Sequence, residues 1–231
     1  MKVIVPELTP NAAPPEILRV GTEAAGGPVS LACSFSVEDV VIIDMAHELS
    51  LPLGVFALDT GRLHEETYEV ADAITERYRL RIDWYYPRHE AVEKLLREKG
   101  TYSFRESLEN RHECCHVRKV EPLGRALKGL AGWVTGLRRE QSMTRTGLAP
   151  IELDTANGDI LKINPLLEWT EDQVWEYAKA RRLPVNRLHS QGYPSIGCAP
   201  CTRPVAPGEH PRAGRWWWEN PEHKECGLHK R

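Results

Sequence analysis

Residues 29–49, VSLACSFSVEDVVIIDMAHEL, decide the fold class. The apolar run 29–35 suits a buried strand, and Ser36 follows at once as a turn residue. Beyond it Val41, Met45 and Leu49 recur every four residues, the spacing of one helix face. A strand that runs through a short turn into a helix is the unit of an open α/β sheet. Its turn, with Ser34, Phe35 and Ser36, is where such a sheet binds a phosphorylated ligand, because first-turn N–H groups and serine hydroxyls suit an anion. Neither G-x-G-x-x-G nor G-x-x-x-x-G-K-[ST] is present. The stretch is equally readable as an ordinary capped helix with Cys33 as a small buried hydrophobe.

Strand and helix signals alternate outward from this unit. Gly54–Leu58 reads as a second strand ending in LDTG (58–61), and a helix follows from His64 to Arg79 with Val70, Ile74 and Tyr78 on one face. RIDWYY (81–86) is a third strand, and Glu90–Lys99 a helix stopped by Gly100. Residues 117–130 are helical, with Pro122 breaking or restarting the run. AGWVTGL (131–137) is a strand, and IELDTANGDILKIN (151–164) a hairpin signalled by Asn157-Gly158. Thr170 and Gln173 form a capping box opening a helix that runs to about Leu183. Upstream, the Pro-, Ala- and Gly-rich residues 1–28 hold one helical stretch around Pro15–Glu23; downstream, periodicity disappears from Ser190. The expected fold is α/β, a mostly parallel open sheet flanked by helices with an irregular C-terminal tail. It forms one integrated domain in three stretches: an N-terminal extension (1–28), a nucleotide-binding body carrying a cysteine pair (29–189) and a C-terminal segment (190–231).

The length of 231 residues fits one α/β domain, and 41% hydrophobic with 27% charged residues is ordinary globular usage. Thirty Lys and Arg against 33 Asp and Glu give a net charge of −3, too even for bulk-charge binding of nucleic acid. No stretch approaches the roughly 18 apolar residues of a membrane span, and the N-terminus lacks a basic flank followed by an apolar core. These features predict a cytoplasmic protein without nucleic-acid or membrane partners.

Six cysteines are too few for a disulfide scaffold. Cys114 and Cys115 are adjacent, Cys198 and Cys201 form C-x-x-C, and Cys33 and Cys226 stand alone. Four thiolates in two pairs suit a structural zinc or an iron–sulfur cluster. Adjacent cysteines strain the bite around one tetrahedral ion, whereas a cubane offers separate iron corners, so the spacing favours [4Fe–4S]. The string His112-Glu113-Cys114-Cys115-His116 matches H-E-x-x-H, but two internal cysteines would compete for the metal, and the match reads as accidental. Cys226 lies three residues before His229, an arrangement that can activate a thiol or be a loose terminal cysteine. Basic residues (Arg118, Lys119, Arg138, Arg139, Arg145, Arg203, Arg212, Arg215) neutralise a multiply charged anion if they converge and are solvated faces if they do not.

Taken together, SFS (34–36), LDTGRLHEETY (58–68), ECCHVRKVEPL (113–123), WVTGLRREQS (133–142), GCAPCTRPV (197–205), PRAGRWWWE (211–219) and ECGLH (225–229) resemble the assimilatory adenylyl-sulfate (APS) reductases, relatives of the PAPS reductases. The resemblance spans roughly residues 29–231. It implies an adenine nucleotide alpha hydrolase-like fold and thioredoxin-dependent reduction of adenosine 5′-phosphosulfate to sulfite and AMP, in sulfate assimilation and cysteine biosynthesis. Cys226 matches the nucleophile that carries an S-sulfonate, and Cys114, Cys115, Cys198 and Cys201 match the ligands of one [4Fe–4S] cluster per chain. Lys119, Arg145, Arg212, Arg215 and His229 match positions near the phosphosulfate, with Lys119 and His229 also assisting catalysis. Ser34, Phe35 and Ser36 match the phosphate loop, and Leu58, Asp59, Thr60 and Gly61 the nucleotide-binding strand end. The loop departs from the family by lacking its glycine. The implied partners are the sulfonucleotide and thioredoxin or a similar dithiol, and a homo-oligomer is compatible with the sequence. The cluster-free PAPS enzymes keep the ECGLH tail without the four cysteines, which favours the APS branch. PAPS or dual specificity, an ATP pyrophosphatase-type adenylating enzyme and a zinc-stabilised nucleotide-binding module are the competing readings.

Overall fold

The computed structural model describes residues 3–141 and 147–220. One six-stranded sheet runs in the order β3-β2-β1-β4-β6-β5, with β1 (Val29–Cys33), β2 (Leu53–Leu58), β3 (Ile82–Tyr85), β4 (Gly132–Val134), β5 (Ile151–Asp154) and β6 (Ile160–Ile163). All neighbours pair in parallel except β5, which is antiparallel to β6. The expected open, mostly parallel sheet is thus present. Seven α-helices accompany it among the described residues: α1 (Pro14–Ala24), α2 (Val37–Glu48), α3 (Glu65–Tyr78), α4 (His89–Lys99), α5 (Leu108–Cys115), α6 (Glu121–Leu127) and α7 (Glu171–Ala180).

Strand alternation sends side chains to two cores. Leu31, Val55, Ala57 and Val134 join Leu18 of α1, Ile42 of α2, Ile74 of α3 and Val174 of α7 on one face. Phe56 and Trp133 pack with Leu123, Ala126 and Leu127 of α6 on the other. Ten consecutive residues of α2, Val37 to Ala46, are buried, so of the four-residue recurrence only Val41 and Met45 lie in its buried surface, and Leu49 is its exposed C-cap. Asp44 within it accepts hydrogen bonds from the Tyr78 and Tyr177 hydroxyls, each at 2.9 Å, and pairs with Arg181, tying α2 to α3 and α7. Because β1 lies between β2 and β4, the connections diverge there and leave a crevice beyond the strands' carboxyl ends.

Several boundaries differ from the sequence reading. The capping box at Thr170 forms, but α7 ends at Ala180: Arg182 adopts φ 51°, and the chain turns before Pro184. The β5–β6 hairpin closes with Asp154 opposite Ile160, so its connection is five residues rather than a two-residue Asn-Gly turn. Gly158 (φ 91°) and Asp159 (φ 56°) take the left-handed positions instead. Pro122 restarts the chain as α6, after one π-helical turn over His116–Val120. Helix α5 escaped notice because five of its eight residues are polar or charged and its buried residues are Arg111 and Cys115.

Candidate active site

A cavity of about 340 Å³ occupies that crevice. Ser34, Phe35 and Ser36 line it after β1, Leu58 and Thr60 after β2, and Thr135 and Gly136 after β4. Lys119, Arg212 and Arg215 bring cationic side chains to the same wall. The predicted phosphate loop, Leu58 and Thr60 of the nucleotide strand end, and four of the basic residues (Lys119, Arg138, Arg212 and Arg215) therefore converge. Asp59 and Gly61 stand behind the wall: Asp59 Oδ1 accepts from Gly61 N–H at 2.7 Å, and its Oδ2 accepts from the Tyr68 hydroxyl at 2.8 Å. Arg145, Cys226 and His229 lie outside the described residues.

The loop after β1 is held from within. Asp39 Oδ2 accepts from Ser34 N–H (2.7 Å), the Ser34 hydroxyl (2.8 Å) and Ser36 N–H (3.3 Å). Donors that the sequence reading offered to a ligand are thus engaged by a carboxylate of α2. Burial lifts that carboxyl to about 6 against the three hydrogen bonds, and Glu38 pushes the same way. Its close packing requires a glycine opposite, since a Cβ on Gly136 would sit 2.6 Å from Asp39 Oδ1. Phe35 takes φ 63°, a strain of about 1–2 kcal/mol for an L-residue. Its buried ring, 5.4 Å from Trp84, supplies compensating contact.

Beside this crevice, Cys114, Cys115, Cys198 and Cys201 all line one small cavity of about 20 Å³. Cys114 and Cys115 reach it from the end of α5, and Cys198 and Cys201 from a tight turn whose Cys201 N–H bonds Cys198 carbonyl at 2.9 Å. Burial lifts the Cys201 thiol to about 12, and Cys198 adds to it against Lys119. Burial also raises Cys198, but Lys119, Thr60, Arg215 and Arg118 together outweigh it and bring that thiol down. Three buried donors on residues of this wall, Arg118 Nε, Arg215 Nε and Trp216 Nε1, have no partner among the described residues. Among the described residues no three or more His, Cys, Asp or Glu side chains are arranged to hold one metal ion. The H-E-x-x-H match builds no metal site either, since Glu113 turns to Lys99 at 2.6 Å.

Lys119, Arg215 and Trp216 line both cavities, so one wall is shared. Arg215 is 8% exposed, and its Nη1 donates to Ser195 Oγ (3.3 Å) and Ile196 carbonyl (3.2 Å). It can lie there because residue 197 is glycine: a Cβ would meet Arg215 Nη2 at 2.4 Å. Two basic residues of the sequence-based set also build the site. Arg138 is buried between Glu38 (2.9 Å) and Glu140 (3.1 Å), and Arg118 donates to Thr60 carbonyl at 2.6 Å. Trp216, quoted earlier only within PRAGRWWWE, is 2% exposed.

Comparison with known proteins follows the same outline. Residues 28–204 match the phosphoadenosine phosphosulfate reductase domain. The adenosine 5′-phosphosulfate reductase of Burkholderia cepacia is 48% identical over 98% of this chain and 90% of its own. That of Allochromatium vinosum is 51% identical over 88% of this chain and 79% of its own. Among solved structures, phosphoadenylyl-sulfate (PAPS) reductase from Candida auris in its phosphate complex superposes with a TM-score of 0.71 at 28% identity, covering 84% of this chain and 91% of that one. Since the matched domain contains the whole sheet, the loop after β1 and both cysteine pairs, this chain belongs to the phosphoadenosine phosphosulfate reductase family.

Proposed function

We propose that this protein reduces adenosine 5′-phosphosulfate to sulfite and AMP in sulfate assimilation, with Cys226 as the nucleophile and thioredoxin or a similar dithiol as reductant. The observation that carries the reading is the wall shared by a nucleotide-sized crevice and a four-cysteine cavity, with Lys119 and Arg215 in it. The two bacterial relatives named for this substrate support it at 48% and 51% identity.

Two like charges 4 Å apart repel by about 4 kcal/mol at an effective dielectric of 20, so a thiolate reaches a phosphosulfate only where fixed cations offset the repulsion. Lys119, Arg212 and Arg215 are those cations in this reading, and Arg145 and His229 are assigned to the same task. Cys226 Sγ bonds to the sulfate sulfur while the S–O bond to AMP breaks, and AMP leaves with that electron pair. The sulfonate stays on Cys226. A thiolate of the dithiol then attacks Cys226 Sγ, sulfite departs with the electrons of the S–S bond, and the second thiol resolves the mixed disulfide. Both reducing electrons come from the dithiol. Ser34, Phe35, Ser36 and the 58–61 turn hold the nucleotide, with Ser34 and Ser36 kept in place by Asp39.

The four cysteines fit one [4Fe–4S] cluster. A core of sulfide and thiolate acceptors would receive the orphaned Arg118, Arg215 and Trp216 donors beside the four thiols. Bound there, the cluster would join α5 to the 198–201 turn and help fix the stem of Lys119 without carrying the reducing electrons. A cytoplasmic location and the division at residues 28 and 189 belong to the same reading; among the described residues no helix is long and apolar enough to cross a membrane. PAPS specificity is the second reading, favoured by the Candida auris superposition.

The test measures sulfite and AMP from APS and from PAPS with reduced thioredoxin, and intact mass with APS and no reductant. The expected result is turnover on APS and an adduct of about 80 Da, the mass of a covalently held SO3, on Cys226. Turnover confined to PAPS selects the second reading, and an adduct on Cys33 or no adduct removes the mechanism.

A further inference from the structure

The ion pair between Arg111 and Glu219 joins residues 108 positions apart and takes no part in the chemistry above. Arg111 is 0% exposed and lies on α5 one turn before Cys115. Its Nε donates to Glu219 Oε1 and its Nη2 to Glu219 Oε2, both at 2.9 Å, and it also bonds Cys115. Its guanidinium lies 4.8 Å from the centre of the Trp216 ring, and that of Arg215 lies 4.7 Å from the same ring. Trp216 has φ 41°, and is held there by its N–H to Cys201 carbonyl (3.1 Å) and by Glu219 N–H to its own carbonyl (2.9 Å). A continuous set of contacts therefore runs from the cysteine helix through Arg111, Trp216 and Arg215 to the wall of the crevice.

A buried ion pair is poor value for stability alone, because desolvation consumes most of its attraction; its best-attested use is to fix register. The two-pronged geometry adds direction, which a lysine cannot supply. We propose that the Arg111–Glu219 pair is a positioning device for sulfur transfer: it locks the turn after Trp216, from which the sequence continues to Cys226, to the cysteine helix. Glu219 is seven residues before Cys226. The proposal rests on the reductase reading.

Glu219→Gln, which keeps the shape and removes the charge, and Arg111→Lys, which keeps the charge and removes the fork, test it. Iron per chain, thermal midpoint, AMP affinity and the single-turnover rate of sulfonate formation on Cys226 are measured with APS in the absence of reductant. Expected for both variants are unchanged iron, AMP affinity within about twofold and sulfonate formation at least tenfold slower. An unchanged rate overturns the proposal. So does loss of iron, folding or AMP affinity in step with the rate, because the pair then serves the fold. If the wild-type protein forms no sulfonate from APS, the reductase reading fails first; if it does and both variants match it, only the positioning role is lost.

Discussion

Replacing Asp39 by Asn isolates the work of one buried carboxylate. Asp39 is 2% exposed and titrates at about 6, against 3.8 for an unburied aspartate, with burial the largest cause. A folded-state value above the unfolded one means that the folded protein holds the proton more tightly. The group therefore favours folding most in acid, below about 4, and that contribution is lost as pH rises through 6. Between pH 5.0 and 7.5 those two values give a loss of about 1.4 kcal/mol. For a chain of this size that is a fall of roughly 3–5 °C in Tm. Asparagine cannot titrate, so the variant lacks this component while every other ionisable group is shared. Thermal unfolding of both proteins across that range should show the Tm difference moving by roughly 3–5 °C in favour of Asp39→Asn toward neutrality. A difference that stays constant with pH would refute the assignment of the shift to this carboxyl.

Serine at Cys114, Cys115, Cys198 or Cys201 should each lower iron and acid-labile sulfide together, measured colorimetrically on purified protein; full iron in any variant removes that residue from the ligand set. Cys226→Ser should keep wild-type iron and form no sulfite, so residual turnover identifies another nucleophile. Gly197→Ala places a methyl on Arg215 Nη2 and should weaken AMP binding about tenfold, the loss of one charge-assisted contact, with an unchanged Kd showing that Arg215 does not face the ligand. Thr170→Ala removes the oxygen that accepts from Gln173 N–H at 3.2 Å and should cost about 1 kcal/mol in urea unfolding.

Elements with strong periodicity or local capping were legible from the chain alone. The 29–35 run, the LDTG strand end and the Thr170 box each carry their signal within a few residues, and each forms near its expected position. Long-range charge pairing was not legible. Arg111 and Arg138 look like solvated cations in sequence, and only the fold brings Glu219 and Glu38 to them. The convergence of Lys119, Arg212 and Arg215 was conditional on topology for the same reason. Asp39 was hidden differently: nothing in the sequence marks this first-turn acidic residue, yet the same Oδ2 that completes the capping box with Ser36 N–H also occupies the Ser34 donors assigned to a ligand. Helix α5 failed because its inward face is carried by an arginine and a cysteine rather than by aliphatic residues.

The π-helical turn over His116–Val120 decides how the segment between the cysteine pair and α6 responds to a change in length. Such turns hold one residue more than α-helical winding would, and each residue of an α-helix turns the chain by about 100°. Removing a single residue there would let the segment wind as plain α-helix, a local relief. Because four α-helical residues complete nearly the same turn as five π-helical ones, α6 would stay close to phase with Cys114 and Cys115, and the cost of a deletion is the side chain it removes. Deletion of Arg118 or Lys119, which line the cysteine cavity, should thus be tolerated far less than deletion of the exposed His116.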